Sequence, residues 1–316
     1  MPAITATAPG KIILFGEHAV VYGRPAIAIP VTQVHARAVL QADPRGQSGC
    51  MRVQAPDIQL DAWLADIPLE DPLAAAIRGT LEYLGVDRLP ACTLRITSTI
   101  PLAAGLGSGA AVSIAVIRAV SAFLGHPLAD EQVCALAYEV EKIYHGTPSG
   151  IDNTVIAYAQ PIYFVRGQPI ERFVIRRPFT LVIGDTGLPS PTAVAVGDLR
   201  RAWQADPAAY ERLFDEAGRI ARAARQVMES DASPDLLGPL MDENQGVLTQ
   251  LGVSSPELER LTKAARAAGA LGAKLSGGGR GGNMIALAAQ GTATQVAFAL
   301  FDAGAVRVII TQAGDG

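Results

Sequence analysis

The chain has 316 residues, 49% of them hydrophobic, and a formal net charge of −4. A chain of this length and apolar content can bury a large core, and its length favours two domains. The negative charge and the lack of a basic tract exclude nucleic acid and anionic membranes as main partners, so we expect a small ligand.

The cysteines and the start of the chain bear on the compartment. Cys50, Cys92 and Cys134 are widely spaced and odd in number, which favours buried thiols in a reducing compartment over a disulfide framework or a zinc site. The sequence begins without a signal-peptide pattern, and the apolar run at 109–124 is too short to span a bilayer. We therefore expect a cytoplasmic protein without a membrane span.

The first half of the chain alternates predicted strands and helices. Pro9-Gly10 is expected to break the first strand, and Gly16-Glu17-His18 to form a turn. Apolar spacing predicts strands at 4–8, 11–15, 30–40 and 94–99, and helices at 71–84, 111–124 and 130–144.

The second half has long helical patterns between short strands. The spacing predicts strands at 162–164, 173–175 and 181–184, helices at 207–230, 234–251 and 256–268, and strands at 273–275, 284–287 and 306–311. Pro178 separates the two groups of elements, so we place the domain boundary there and predict domains at 1–178 and 179–316.

The most informative segment is the run at 101–111, Pro-Leu-Ala-Ala-Gly-Leu-Gly-Ser-Gly-Ala-Ala, directly before an apolar helix. Alternating glycines let several backbone N–H groups point at one anion, and the helix adds its positive N-terminal end. Ser108 can either cap the helix or offer its hydroxyl to a phosphate-bound magnesium. Because the lysine of a Walker A motif is missing, this is a phosphate site of another lineage or a tight packing turn.

Several polar residues stand in apolar surroundings. Lys11 enters a buried strand and is either a surface lysine or the partner of an anion. Glu17 and His18 follow that strand in a turn that caps a helix or serves a site. Glu141 shares a helical face with Cys134, so its carboxylate needs a metal ion or an arginine as partner.

Two further loops contain residues suited to function. The loop at 145–153 places Asp152 among glycine, proline and serine, where an Asp forms a turn or cap, or acts as a catalytic carboxylate. Residues 277–282, Gly-Gly-Gly-Arg-Gly-Gly, lie between two predicted strands. They form either a flexible hairpin tip or a backbone that something approaches closely.

Together these segments resemble the mevalonate kinases of the superfamily that also contains galactokinases, homoserine kinases and phosphomevalonate kinases. Three superfamily motifs occur in order, PGKIILFGEHAVVYG at 9–23, PLAAGLGSGAAVS at 101–113 and KLSGGGRGGNM at 274–284. The more specific element is HGTPSGID at 145–152, which is similar to the loop that distinguishes mevalonate kinases from galactokinases and homoserine kinases.

The resemblance implies an α+β, two-domain small-molecule kinase fold. Residues 1–178 would form an ATP-binding domain of the ribosomal protein S5 domain 2-like type, and 179–316 a ferredoxin-like domain that closes the active-site cleft. The implied reaction transfers the γ-phosphoryl group of ATP to the C5 hydroxyl of mevalonate, with Mg²⁺ as cofactor. The alternatives are a phosphomevalonate or sugar kinase of the same fold, or a non-catalytic ligand sensor.

The resemblance also implies roles for four residues in the chemistry. Asp152 would accept the hydroxyl proton, and Lys11 would be its electrostatic partner and steady the transferring charge. Ser108 and Glu141 would bind the magnesium ion that neutralises the β and γ phosphates.

Binding of the two substrates is implied at further positions. Glu17, His18 and Thr192 would lie on the mevalonate side. The implied ATP-binding residues are Pro101, Ala104, Gly105, Leu106, Gly107, Ser108, Gly109 and Ala110.

The chain departs from the family pattern at two places. Arg280 stands where the family often has glycine, and Asn283 where a small residue or cysteine is common, so we expect the late glycine-rich loop to differ in shape from that of relatives. The segment 188–193 lacks the basic residues that many relatives carry around Thr192, which disfavours a phosphorylated substrate. The sequence leaves open whether the chain forms a homodimer.

Overall fold

The structure is a computed structural model that describes residues 3–101, 104–145, 148–190 and 192–314, without the side chains of residues 144 and 145. The parts of the predicted loops at 102–103, 146–147 and 191 lie outside the described residues.

The predicted helices are confirmed where a polar residue caps a periodic apolar pattern. Asp71 accepts the N–H of Leu73 at 2.9 Å and starts α1 with proline in its first turn. Asp206 and Ser255 cap α6 and α8 in the same way. The described helices are α1 (Pro72–Tyr83), α2 (Ser108–Phe123), α3 (Asp130–His145), α4 (Ile151–Tyr158), α5 (Thr192–Ala205), α6 (Pro207–Glu229), α7 (Leu237–Gln250), α8 (Pro256–Ala267) and α9 (Ala293–Asp302).

The strands include segments that the sequence did not predict, notably β3, β4 and β7. The described strands are β1 (Ile4–Phe15), β2 (Ala26–Ala42), β3 (Met51–Ala55), β4 (Leu60–Trp63), β5 (Cys92–Ser98), β6 (Ile162–Phe164), β7 (Glu171–Arg172), β8 (Phe179–Asp185), β9 (Ala270–Ser276), β10 (Asn283–Ala288) and β11 (Arg307–Ala313).

Two strand predictions were wrong. Pro9-Gly10 does not break the first strand, because β1 continues through it. A strand tolerates proline where the ladder does not need its N–H, and β1 pairs with β2 alone in the described part of the chain. Residues 173–175 are not a strand: Phe173 and Ile175 are buried around an exposed Val174, but their alternation comes from packing and not from a ladder.

The chain forms two compact units. One unit comprises residues 1–10, 34–101 and 107–159, and the other comprises 11–33, 102–106 and 160–316. We call them the first and the second unit. This division follows packing within the chain, and the predicted domain boundary between residues 178 and 179 stays a prediction.

The first unit combines a sheet with a layer of helices. Its strands follow the order β4-β3-β5-β2, in which residues 36–42 of β2 pair with β5. Helix α2 packs against α1, α3, α4 and β5, so the helix after the glycine run is buried on most sides. This burial explains why its sequence is apolar with little polar interruption.

The second unit contains an antiparallel sheet of order β11-β8-β10-β9. Its chain order, one strand, helices, a β9–β10 hairpin, α9 and a last strand, is the β-α-β-β-α-β pattern of ferredoxin-like domains. Helices α7, α8 and α9 pack on this sheet. The hairpin places residues 277–282 at its tip, and residues 26–28 of β2 pair with β6.

Among the residues that the structure describes, none of the helices combines the length and apolar composition that a bilayer crossing requires.

Candidate active site

The glycine run forms an open turn that leads into α2. Gly105 and Gly107 have φ of +79° and +74°, a region that side chains other than glycine rarely adopt. Gly107 is the N-cap residue of α2 and no side-chain hydrogen bond caps this helix, so Ser108 is its first residue and not its cap. A Cβ on Gly105 would meet no atom within 4 Å. The first N–H groups of an α-helix have no acceptor within the helix, and such groups suit an anion.

The first half of this turn is fastened within the second unit. The N–H of Lys11 donates to the carbonyl of Leu106 at 2.9 Å, and the Lys11 side chain is buried. The side-chain amide of Asn283 donates to the carbonyl of Ala104. Asn283 therefore has a specific role in this chain, because a small residue at that position would not reach the turn.

Glu141 faces the first turn of α2. Its side chain on α3 is 5% exposed, and its Oε1 lies 3.8 Å from where a Cβ on Gly109 would stand. A buried carboxylate beside the helix that Ser108 begins is the kind of oxygen ligand that Mg²⁺ takes together with phosphates and water. No cluster of three or more His, Cys, Asp or Glu side chains occurs among the described residues. The buried carboxylate of Glu141 and the hydroxyl of Ser108 offer oxygen ligands of the kind that fit Mg²⁺.

Asp152 lies in a helix, whereas the sequence suggested a loop. It is half-buried in the first turn of α4. The amide of the next residue, Asn153, donates to the carbonyl of Cys134 on α3 at 3.2 Å. At the other end, Arg118 of α2 donates to the carbonyl of Ala157. Helix α4 is thus tied to the helices that carry Glu141 and Ser108.

Glu17 forms a buried ion pair with Lys274 of β9, and the two side chains are 1% and 0% exposed. Lys274 also donates to the carbonyl of Leu275 at 2.6 Å. Burial raises the pKa of Glu17 and lowers the pKa of Lys274, and their mutual attraction opposes both shifts. Sequence reasoning gave Lys274 no role, although a lysine inside an apolar strand signals a buried partner.

His18 is held as a neutral imidazole. It adopts φ +61° and its Nε2 lies 3.1 Å from the carbonyl oxygen of Gly278. A carbonyl only accepts hydrogen bonds, so Nε2 carries the proton and Nδ1 is left as an acceptor. Burial, with some help from the charges of Arg280 and Lys274, lowers the pKa of His18 to about 4. Nδ1 is buried without a partner among the described residues.

Thr192 and Ser190 contact the loop that His18 binds. A Cβ on Gly278 would lie 2.2 Å from Thr192 Oγ1 and 2.8 Å from Ser190 Oγ. Ser190 donates from its hydroxyl to the carbonyl of Gly279 at 3.0 Å. The loop at 277–282 thus contacts two predicted substrate-side residues, His18 and Thr192.

Comparison with known proteins decides the family. The pattern of the GHMP kinases N terminal domain matches residues 72–160, and that of the GHMP kinases C terminal domain matches residues 226–306. The chain is 35% identical to the mevalonate kinase of Thermococcus sibiricus, with 99% of this chain and 97% of that protein covered. The chain belongs to the GHMP kinase family. The mevalonate kinase of Pyrococcus abyssi is 36% identical, with coverage of 99% and 96%.

The GHMP kinase fold is also found by structure comparison. The L. major mevalonate kinase, solved in complex with R-mevalonate, superposes with a TM-score of 0.85 at 31% identity, covering 98% of this chain and 95% of that one. The predicted α+β, two-domain small-molecule kinase fold is therefore confirmed, and the chain is an enzyme of the kinase class. The roles of individual site residues, including the pairing of Lys11 with Asp152, stay predictions.

Proposed function

We propose that this GHMP kinase is an ATP-dependent mevalonate kinase, which transfers the γ-phosphoryl group of ATP to the C5 hydroxyl of mevalonate. One observation carries the proposal: the chain matches mevalonate kinases from end to end at 35% and 36% identity. A resemblance of this extent covers both halves of the chain and all four motifs, so it is not a feature of the nucleotide loop alone.

In this proposal Asp152 accepts the proton of the C5 hydroxyl. The hydroxyl oxygen then forms a bond to the γ-phosphorus, the bond from that phosphorus to the bridging oxygen breaks, and ADP leaves. Lys11 stabilises the negative charge that is transferred. The observation in support is that α4 is fastened at both ends, which fixes the direction of its first turn.

The nucleotide side is assigned to the glycine run and to the first turn of α2. Residues 104–110 would hold the phosphates of ATP with backbone N–H groups, and Pro101, which has no N–H, would contact ATP through its ring. Ser108 and Glu141 would hold Mg²⁺, which when bound neutralises the β and γ phosphates. The buried carboxylate of Glu141 beside Gly109 supports this assignment.

The mevalonate side is assigned to Glu17, His18 and Thr192. The exposed hydroxyl of Thr192 can hydrogen-bond to mevalonate, whereas His18, whose Nδ1 is buried, would act by holding the loop at Gly278. Glu17 acts through Lys274, because the ion pair occupies one of its carboxylate oxygens.

Parallel assays of the purified protein with ATP and mevalonate, phosphomevalonate or galactose test the proposal. We expect turnover of mevalonate at a kcat/KM at least tenfold above the other two. Preference for phosphomevalonate or galactose would establish the corresponding kinase instead, and binding without turnover of any of the three would establish a ligand sensor.

Replacing Asp152 tests the assignment of the base. Asp152→Asn should lower kcat by at least about 100-fold, because a positioned base contributes 10²–10⁴ to such reactions, while ATP binding is kept. Glu131→Gln is the control, since Glu131 also lies in the first turn of a helix and is exposed. Near-normal turnover by Asp152→Asn would remove it from the reaction.

The proposal includes a cytoplasmic location. It is supported by the cysteines, since Cys50, Cys92 and Cys134 all carry free thiols, as expected in a reducing compartment. A homodimer stays a prediction that sedimentation of the purified protein can decide.

A further inference from the structure

Arg280 is held in a backbone conformation that disfavours its side chain. Its φ is +57°, in the region where glycine is preferred. Its N–H donates to the carbonyl of Val253 at 2.8 Å, and its Nε and Nη2 lie 3.4 and 3.3 Å from the carbonyl oxygen of Gly252. A conformation of this kind persists where surrounding contacts over-determine it.

The guanidinium of Arg280 connects the loop at 277–282 to helix α5. Its Nη1 forms an ion pair with Asp198, a residue near the middle of α5. The hydrogen bond from Arg280 holds the pKa of the Asp198 carboxyl below its usual range, so this carboxylate is ionised at neutral pH. Both side chains are about one-third exposed, at 31% and 33%.

The other side of the same loop carries the contacts of the substrate-side residues. His18 donates to the carbonyl of Gly278, two residues before Arg280. Thr192 starts α5, and its hydroxyl lies so close to Gly278 that no side chain fits there. These contacts therefore form a closed series. It runs from Thr192 along α5 to Asp198, through the ion pair to Arg280, and along the loop to Gly278, which contacts Thr192 again.

We propose that the Arg280–Asp198 ion pair is a latch that fixes Thr192 and His18 in position for mevalonate. Arg280 is a positioning residue, because it acts through the loop and through α5. The inference rests on the proposed function for its substrate. The latch joins parts of the second unit that carry the substrate-side residues, so its loss should weaken mevalonate binding far more than ATP binding or the chemical step.

Arg280→Gly is the informative variant. Glycine adopts φ +57° without strain, so the loop keeps its backbone while the ion pair is lost. Asp198→Asn breaks the same pair from the other side. Arg201→Ala is the matched control, since Arg201 also pairs with Asp198 but lies on the same helix at 74% exposure, and its pair does not join α5 to the loop.

We expect Arg280→Gly and Asp198→Asn each to raise KM for mevalonate about fivefold, with kcat and KM for ATP within twofold of the parent. The double variant should be no worse than Arg280→Gly, because that variant already removes the ion pair together with the contacts from Arg280 to the carbonyl of Gly252. Arg280→Lys should recover part of the loss in a chain that keeps Asp198. Arg201→Ala should behave as the parent.

Three kinetic results would overturn the latch: an unchanged KM for mevalonate in Arg280→Gly, an equal rise in Arg201→Ala, or additive effects in the double variant. Hydrogen exchange of residues 192–200 and 277–282 provides a readout without substrate, and it should accelerate in Arg280→Gly but not in Arg201→Ala. Absence of mevalonate turnover by the parent protein would refute the proposed function. Unchanged exchange in Arg280→Gly would refute the latch alone.

Discussion

Lowering the pH should destabilise the folded protein through His18, whose imidazole is buried and neutral. In the unfolded chain this side chain takes up a proton below its usual pKa of 6.5, whereas burial lowers the pKa of the folded state to about 4. Between these values the unfolded state binds more protons, so the free energy of unfolding falls as the pH falls. The full difference corresponds to about 3 kcal/mol and is reached only near pH 4.

The measurement is urea unfolding, followed by circular dichroism, at intervals from pH 7.5 to pH 4. His18→Asn removes the titrating group and keeps a residue that tolerates φ +61°. This variant starts less stable, because the hydrogen bond to Gly278 is lost, but it should lose about 3 kcal/mol less than the parent over the pH range. Contributions of the carboxylates cancel in that difference.

His126→Asn is the control, because His126 is exposed. This variant should keep the pH dependence of the parent. The reasoning is refuted if His18→Asn and the parent lose the same free energy between pH 7 and pH 4, since the folded state would then accept a proton on His18 as readily as the unfolded chain does.

Three further predictions follow from the site. Lys274→Met should lower the free energy of unfolding by about 3–5 kcal/mol, because it leaves Glu17 as a buried charge without its partner. Adding Glu17→Gln should restore part of the lost stability. Equal stability of the parent and Lys274→Met in urea unfolding would contradict this prediction. Gly278→Ala should raise KM for mevalonate and lower the free energy of unfolding by about 1–3 kcal/mol, because the new Cβ would lie 2.2 Å from Thr192 Oγ1. Gly246→Ala on α7 is the control: its Cβ would meet no atom within 4 Å, so this variant should be as stable as the parent or more stable. Glu141→Gln should raise the Mg²⁺ concentration for half-maximal activity about tenfold or more, unlike the exposed Glu139→Gln; a similar shift in both would count against the metal assignment.

Local chemistry made several elements predictable from the sequence. Asp71-Pro72 marks the start of α1 because a capping carboxylate and a proline in the first turn both act within three residues of the helix end. The same holds for Asp206 and Ser255. Helix α5 lacked such a signal: within Thr192–Ala205 only Ala195 and Leu199 are buried, and Gly197 interrupts the pattern. A helix with so narrow an apolar face depends on tertiary contacts that the sequence does not display.

Part of the candidate site could be predicted from neighbouring residues in the sequence, and part of it depends on residues that are distant along the chain. The tight turn at Gly105 and Gly107, with its positive φ values, was implied by the glycine pattern alone, whereas anion binding by this turn stays a prediction. The partners of Glu17 and Asn283 could not be predicted, because Lys274 lies 257 positions from Glu17 and Ala104 lies 179 positions from Asn283 along the chain. Contacts at such separations follow from the topology of the sheets and not from spacing in the sequence.

The late glycine-rich loop distinguishes the two sequence interpretations of residues 277–282, a flexible hairpin tip and a backbone that something approaches closely. One sequence interpretation of 277–282 was a flexible hairpin tip, but His18, Ser190 and Val253 all bond to this loop. Gly278 is required by the approach of Thr192 and not by its φ, whereas Arg280 takes a left-handed φ without being glycine. Glycine therefore serves here to admit neighbouring side chains, and the loop is held by its contacts with His18, Ser190 and Val253. A substitution that adds a side chain at 278 should consequently be harmful even where the backbone tolerates it.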